Sequence, residues 1–123
     1  MRRIGGGFVF FKSDYHEEIA NKLMKLCGFE RLEDNKEFGS FCYVASATYK
    51  LNDLEEVVGE DGIDLDTLEQ KMLVYSTSEM SMIRFGLQLF NESIDDITIP
   101  EVFSSLDEEN KKVVLEAIKF RFL

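Results

Sequence analysis

Ser76-Thr77-Ser78-Glu79-Met80-Ser81-Met82-Ile83-Arg84-Phe85-Gly86-Leu87-Gln88-Leu89-Phe90 decides the fold class. Ser76 and Glu79 stand at capping-box spacing, so each side chain can satisfy the other's backbone N–H. Met80, Ile83, Leu87 and Phe90 then recur at spacings of three and four, one stripe of a helix. Met82, Phe85 and Leu89 add apolar surface on other sides. A helix apolar on several faces belongs at the centre of a fold. Asn91 is its expected stop. Serines before a helix also suit an anion site or a nucleophile. No companion His or Lys adjoins them, and capping is the favoured role.

Helical signals continue on both sides. Downstream, Ile94, Ile97 and Ile99 space out an acidic connector, and Pro100 suits the first turn of a short helix over Glu101 to Ser104. Asp107, followed by Glu108 and Glu109, caps a last helix whose face carries Val113, Val114, Ala117, Ile118 and Arg121. Lys119 and Arg121 sit where the helix dipole favours cations. Phe120 and Phe122 are expected to dock on the core. Upstream, Ser13 caps a helix with a stripe of Tyr15, Ile19, Leu23 and Leu26 beside Cys27, and Gly28 supplies a left-handed stop. Asn35 or Asp34 caps a second helix that buries Phe38, Phe41, Cys42 and Ala45 and ends at Tyr49 and Leu51. Asn52 or Asp53 caps a short helix from Leu54 to Val58, stopped by Gly59. Ile63 and Leu65 alternate with aspartates as in a short strand; alternatively Asp66 caps a helix from Thr67 to Leu73. The expected fold is all-α or mainly α, a compact bundle of about five or six helices. It forms one domain over residues 1–123, with an N-terminal arm over 1–12 and one short strand or hairpin near the N-terminus or around 62–66.

Charge sets the sign of any partner. Between Leu51 and Gln70 stand eight carboxylates and no base; between Phe85 and Asn110 stand seven more, again without a base. Lys and Arg total 14 against 24 Asp and Glu, for a net charge of -10. Phosphate binding needs cations to displace counterions, so direct nucleic-acid binding is disfavoured, and an anionic membrane surface likewise. The natural charged partner is a basic protein surface, although an acidic coat also keeps a chain soluble. No run approaches the ~20 apolar residues of a membrane span. Met1-Arg2-Arg3-Ile4 leads into glycines rather than a secretory signal. Cys27 and Cys42 fall in apolar helical patterns, as reduced core thiols of a cytoplasmic protein would.

No catalytic, cofactor or metal signature stands out. Gly5-Gly6-Gly7 lacks the Lys-Ser/Thr of a P-loop and the spacing of a dinucleotide fingerprint. In Glu60-Asp61-Gly62-Ile63-Asp64-Leu65-Asp66, setting Gly62 at the sixth place of a calcium loop puts Val57 first and Leu68 twelfth, where oxygens are required. His16, the only histidine, lies in the first turn of a helix near Asp14 and Glu17, where a solvated surface role is expected. Two Cys and one His are too few for a zinc site, and burial in an acidic protein is expected to raise both thiols. A metal-dependent nuclease would also need a basic nucleic-acid path. A non-enzymatic protein without a cofactor is the expectation.

Three patches carry a resemblance. Phe11-Lys12-Ser13 followed by His16-Glu17 opens the first long helix. Ser76-Thr77-Ser78 leads into a helix ending Leu89-Phe90-Asn91. Val102-Phe103, Leu106-Asp107, Asn110, Glu116-Ala117-Ile118-Lys119 and Arg121-Phe122 complete the set. On these patches the chain resembles a family of short uncharacterised proteins, a domain of unknown function from low-GC Gram-positive bacteria and their prophages. Family members often place a Trp before the Ser-Thr-Ser, where this chain has Val74-Tyr75, and Asn52 to Leu73 lies outside the match. The resemblance implies a phage or mobile-element accessory role and supplies no activity.

Charge and resemblance together lead to an interaction protein that binds a basic host or defence protein, in one form as a nucleic-acid mimic filling a phosphate-binding groove. Its expected acidic surface comprises Asp53, Glu55, Glu56, Glu60, Asp61, Asp64, Asp66 and Glu69, with Glu92, Asp95 and Asp96. Two alternatives differ in class. One is a self-associating structural or regulatory module, a homo-oligomer sharing its Phe8-Val9-Phe10-Phe11 arm between copies. The other is a weak acid–base or metal-dependent enzyme, which needs Asp61, Asp64, Asp66 and a further acid gathered in one pocket.

Overall fold

A computed structural model describes residues 10–123 of the protein, which are mainly helical. In chain order they form α1 (Asp14–Leu26), a 3-10 turn (Leu32–Asp34), α2 (Lys36–Ser46), α3 (Leu51–Val57), β1 (Val58–Gly59), β2 (Gly62–Ile63), α4 (Leu65–Met72), α5 (Thr77–Phe90), α6 (Ile99–Ser104) and α7 (Glu108–Phe122). Among the described residues there are seven α-helices and one short hairpin, the mainly α bundle that the sequence leads to. The two strands are an antiparallel hairpin, with Val58 opposite Ile63 and Gly59 opposite Gly62. Gly62 makes its turn at a φ of 122°, where a side chain is strained.

The helix at the centre is α2. Every residue from Gly39 to Ser46 is buried, and α1, α5 and α7 all pack around it. The sequence pattern points first to α5, whose apolar residues also spread over several faces. Phe41, Tyr43 and Val44 of α2 are fully buried, and small residues at its contacts let its neighbours close on it. Gly39 lies against the backbone of the 3-10 turn, and Gly86 of α5 lies against Phe41 of α2. Close-packed interiors of this kind tolerate little added volume.

The caps follow the expected residues at most helix starts. Ser13 accepts from the His16 N–H at 3.0 Å, Asn35 from Phe38 at 2.9 Å and Asp107 from Asn110 at 2.8 Å. Ser76 and Glu79 form the reciprocal box, at 3.2 and 2.9 Å. The box depresses the Glu79 carboxyl, first through the Ser76 N–H, and Lys50 lies 3.5 Å away. Ser76→Ala should therefore cost about 1 kcal/mol, a fall in Tm of about 4 °C that calorimetry would register.

Three helices start earlier than the sequence suggests: α6 begins at Ile99, capped by Thr98, and α3 and α4 also begin ahead of expectation, while α2 ends at Ser46 before reaching Tyr49. Tyr49 turns the chain at a φ of 62°, so α3 begins at Leu51 on Lys50, with no side-chain cap, and Asn52 and Asp53 fall inside it. Asp64, not Asp66, caps α4. The buried stripe of α1 keeps Ile19, Leu23 and Cys27 but differs at its edges. His16, Ile19, Ala20, Leu23 and Met24 face the core, whereas Tyr15 and Leu26 are exposed. At the far end Phe120 is buried as expected, but Phe122 is 62 % exposed. Arg121 Nε donates to the Leu89 carbonyl at 2.9 Å and ties α7 to α5. No helix among the described residues is long and apolar enough to cross a membrane.

Candidate functional site

The acidic residues divide into those the fold uses and those it leaves to solvent. Asp53 accepts the Tyr75 hydroxyl at 2.6 Å and lies 3.7 Å from Lys71 Nζ, which also pairs with Glu56. Glu55 pairs with Lys22 at 3.3 Å. Asp64 accepts both the hydroxyl and the N–H of Thr67, which together hold its carboxyl below the usual range. Asp95 grips Arg84 through Nε and Nη2 at 2.9–3.1 Å and accepts the Ile97 N–H as well. Asp96 is fully exposed, 3.6 Å from the same arginine. Glu60, Asp61, Asp66, Glu69 and Glu92 are exposed and form no ion pair with any described residue. They lie on the hairpin turn, on α4 and at the start of the connector after α5.

Beside these free carboxylates the surface opens into a groove. Leu65, Leu68 and Met72 recur at spacings of three and four along α4 and therefore share a side of the helix. With Leu87 of α5 and Ile94 of the connector they line a cavity of about 510 Å³. Glu69, Ser93 and the Arg84–Asp95 pair complete its wall. Asp95 raises the already high pKa of the Arg84 guanidinium, so this cation is permanently charged and already committed. Gln88 Nε2 donates to the Asp95 carbonyl at 3.1 Å, and the connector is stapled to α5 at two points. The acidic pattern includes Glu69 and Asp95, but nothing in it singles out Arg84 or the groove. Leu65, Leu68 and Met72 carry the one signal, and a helix facing wholly inward produces the same spacing.

His16 departs from expectation. It is completely buried rather than solvated, because the turn made by Ser13 brings it inward between Phe11 and Tyr43. Its Nδ1 accepts the Lys12 N–H at 3.2 Å, so the neutral ring carries its proton on Nε2, which donates to the Tyr43 carbonyl at 2.8 Å. Burial pushes its pKa down to about 4. The Tyr43 hydroxyl donates to the Phe10 carbonyl at 2.6 Å, and burial drives its own pKa far upward. Phe10 and Phe11 are thus seated on their own chain, while Phe8 and Val9 of the proposed shared arm lie outside the described residues. Nearby, Lys12 Nζ donates to Asn110 Oδ1 at 2.8 Å and sits 4.7 Å from the Tyr49 ring centre, at the edge of a small polar cavity of about 190 Å³.

The thiols also differ from the uniform upward shift expected. Cys27 and Cys42 are free and buried, and they touch. Their hydrogen bond, together with burial, raises Cys42, and the same bond lowers Cys27. Asp61, Asp64 and Asp66 do not converge, and among the described residues no three His, Cys, Asp or Glu side chains are grouped as metal ligands would be. No family model, no curated protein and no solved structure matches the chain.

Proposed function

We propose that the protein is a small acidic binding module that engages a basic protein partner through the hairpin turn, α4 and the connector. One observation carries this reading: Glu60, Asp61, Asp66, Glu69 and Glu92 remain exposed without an ion pair to any described residue, in stretches where Asp53, Glu55, Glu56 and Asp95 are paired. Carboxylates that cap no helix and pair with no described cation are left to solvent, and their summed field accelerates encounter with a cationic surface. The resemblance to prophage-borne proteins supports a finer form of the same reading. In it the chain is a phage or mobile-element accessory acting in the cytoplasm, and its carboxylates stand in for phosphates in a groove of a host or defence protein.

The test uses a fourfold variant, Asp61→Asn with Asp66→Asn, Glu69→Gln and Glu92→Gln, which disturbs none of the ion pairs or caps described above. Immobilised wild type should capture a basic protein from host lysate at low salt and release it as ionic strength rises, because screening shortens the reach of surface charge to ~8 Å at physiological salt. The variant should fail to capture it. A partner that is neutral or acidic, or one held by the variant as firmly as by wild type, overturns the proposal.

A further inference from the structure

Resting on that reading, we infer that the groove between α4, α5 and the connector over residues 91–98 receives a large apolar side chain from a cationic amphipathic segment of the partner. The volume of about 510 Å³ is large enough for one or two bulky side chains, and it falls within the ~300–1,000 Å³ range of ligand-holding pockets. Its floor is apolar: Leu65, Leu68, Met72, Leu87 and Ile94. Its surroundings are acidic: Glu69 lines it, Asp66 lies one turn back on α4, and Glu92 and Asp96 flank its connector wall. The single cation that lines it, Arg84, is neutralised by Asp95. An anionic occupant would meet repulsion from every free charge at the rim. A neutral one would cover carboxylates without giving them a partner, which is costly. An apolar anchor flanked by Lys or Arg satisfies floor and rim together. The groove is also prepared in advance, since the staple from Arg84 and Gln88 to Asp95 fixes the connector wall before any ligand arrives.

The chain contains no Trp, so a probe peptide can carry the only indole in the sample. The probe is a short leucine–lysine amphipathic helix with one central Trp. Its comparators are a Trp-bearing oligolysine of equal charge and a leucine–glutamate counterpart. Wild type should shift the probe's emission to the blue and bind it about tenfold more tightly than oligolysine, about 1.4 kcal/mol. Ser93→Phe, at an exposed position in the groove wall, should abolish both the shift and the preference while leaving salt-sensitive oligolysine binding intact. Glu69→Lys should weaken the probe about fivefold, with circular dichroism verifying that both variants keep their helices. If the wild type leaves the indole unshifted, if Ser93→Phe shifts it equally, or if the leucine–glutamate peptide binds as well, the groove assignment fails and the charge reading survives. If the fourfold neutral variant binds oligolysine as wild type does, the underlying reading fails instead.

Discussion

Gly39→Ala should destabilise the protein by about 3 kcal/mol, although alanine is the better helix former by about 1 kcal/mol. A Cβ at this position would stand 2.3 Å from the Leu32 carbonyl oxygen and 3.1 Å from both the Leu32 carbonyl carbon and Phe120 Cε2. The first two neighbours are backbone, held in the 3-10 turn, and cannot rotate away as a side-chain tip can. Relief requires α2 to move off the turn, and α2 is the helix on which α1, α5 and α7 all pack. Urea unfolding gives the sign directly. Gly86→Ala is the matched comparison: its Cβ would meet Phe41 Cδ1 at 3.3 Å, a contact that a small ring adjustment relieves, so its cost should be much lower. If Gly39→Ala unfolds at the same or higher urea concentration than wild type, the turn does not rest on α2 as described.

The second large effect is acid sensitivity centred on His16. In the unfolded chain an imidazole titrates near ~6.5. In the fold burial holds it to about 4. Between those values the unfolded chain binds a proton that the folded one refuses, so stability is complete above about pH 6.5 and declines as pH falls. The loss approaches about 3 kcal/mol near pH 4. Carboxylates with lowered pKa values, such as Glu79 and Glu101, lose stability in the same direction, but only near and below their own ordinary range. The histidine is therefore isolated between pH 7 and 5. Unfolding free energy should fall across that interval in wild type and stay nearly flat in His16→Gln. The variant should itself be weaker at pH 7 by about 2 kcal/mol, because glutamine cannot serve both the Lys12 N–H and the Tyr43 carbonyl from one position. A wild-type profile as flat as the variant's would mean that His16 is not sealed from water.

Helices and their caps were readable because they depend on nearest neighbours. Ser13, Asn35, Ser76 and Asp107 each satisfy an N–H within their own first turn, and that requirement is written locally. Which helix lies inside was not. Gly39 lets the 3-10 turn close on α2 at Leu32, and a glycine in a helix otherwise reads as a weakness. His16 misleads for a similar reason: Asp14 near it is exposed, while the ring turns toward Tyr43, which lies in another helix. Among the carboxylates the overall sign was legible and the division of labour was not. Asp95 and Glu92 look alike in sequence, yet one is bound to Arg84 eleven positions away and the other faces water.

The sheathing of α2 separates two kinds of information in the chain. Residues 39–46 specify how the protein folds and are hidden from any visitor. The hairpin turn, the outer side of α4 and the connector carry the solvent-facing acids, although Ile97 of the connector reaches the core. Substitutions in that outer layer leave the buried scaffold of residues 39–46 untouched.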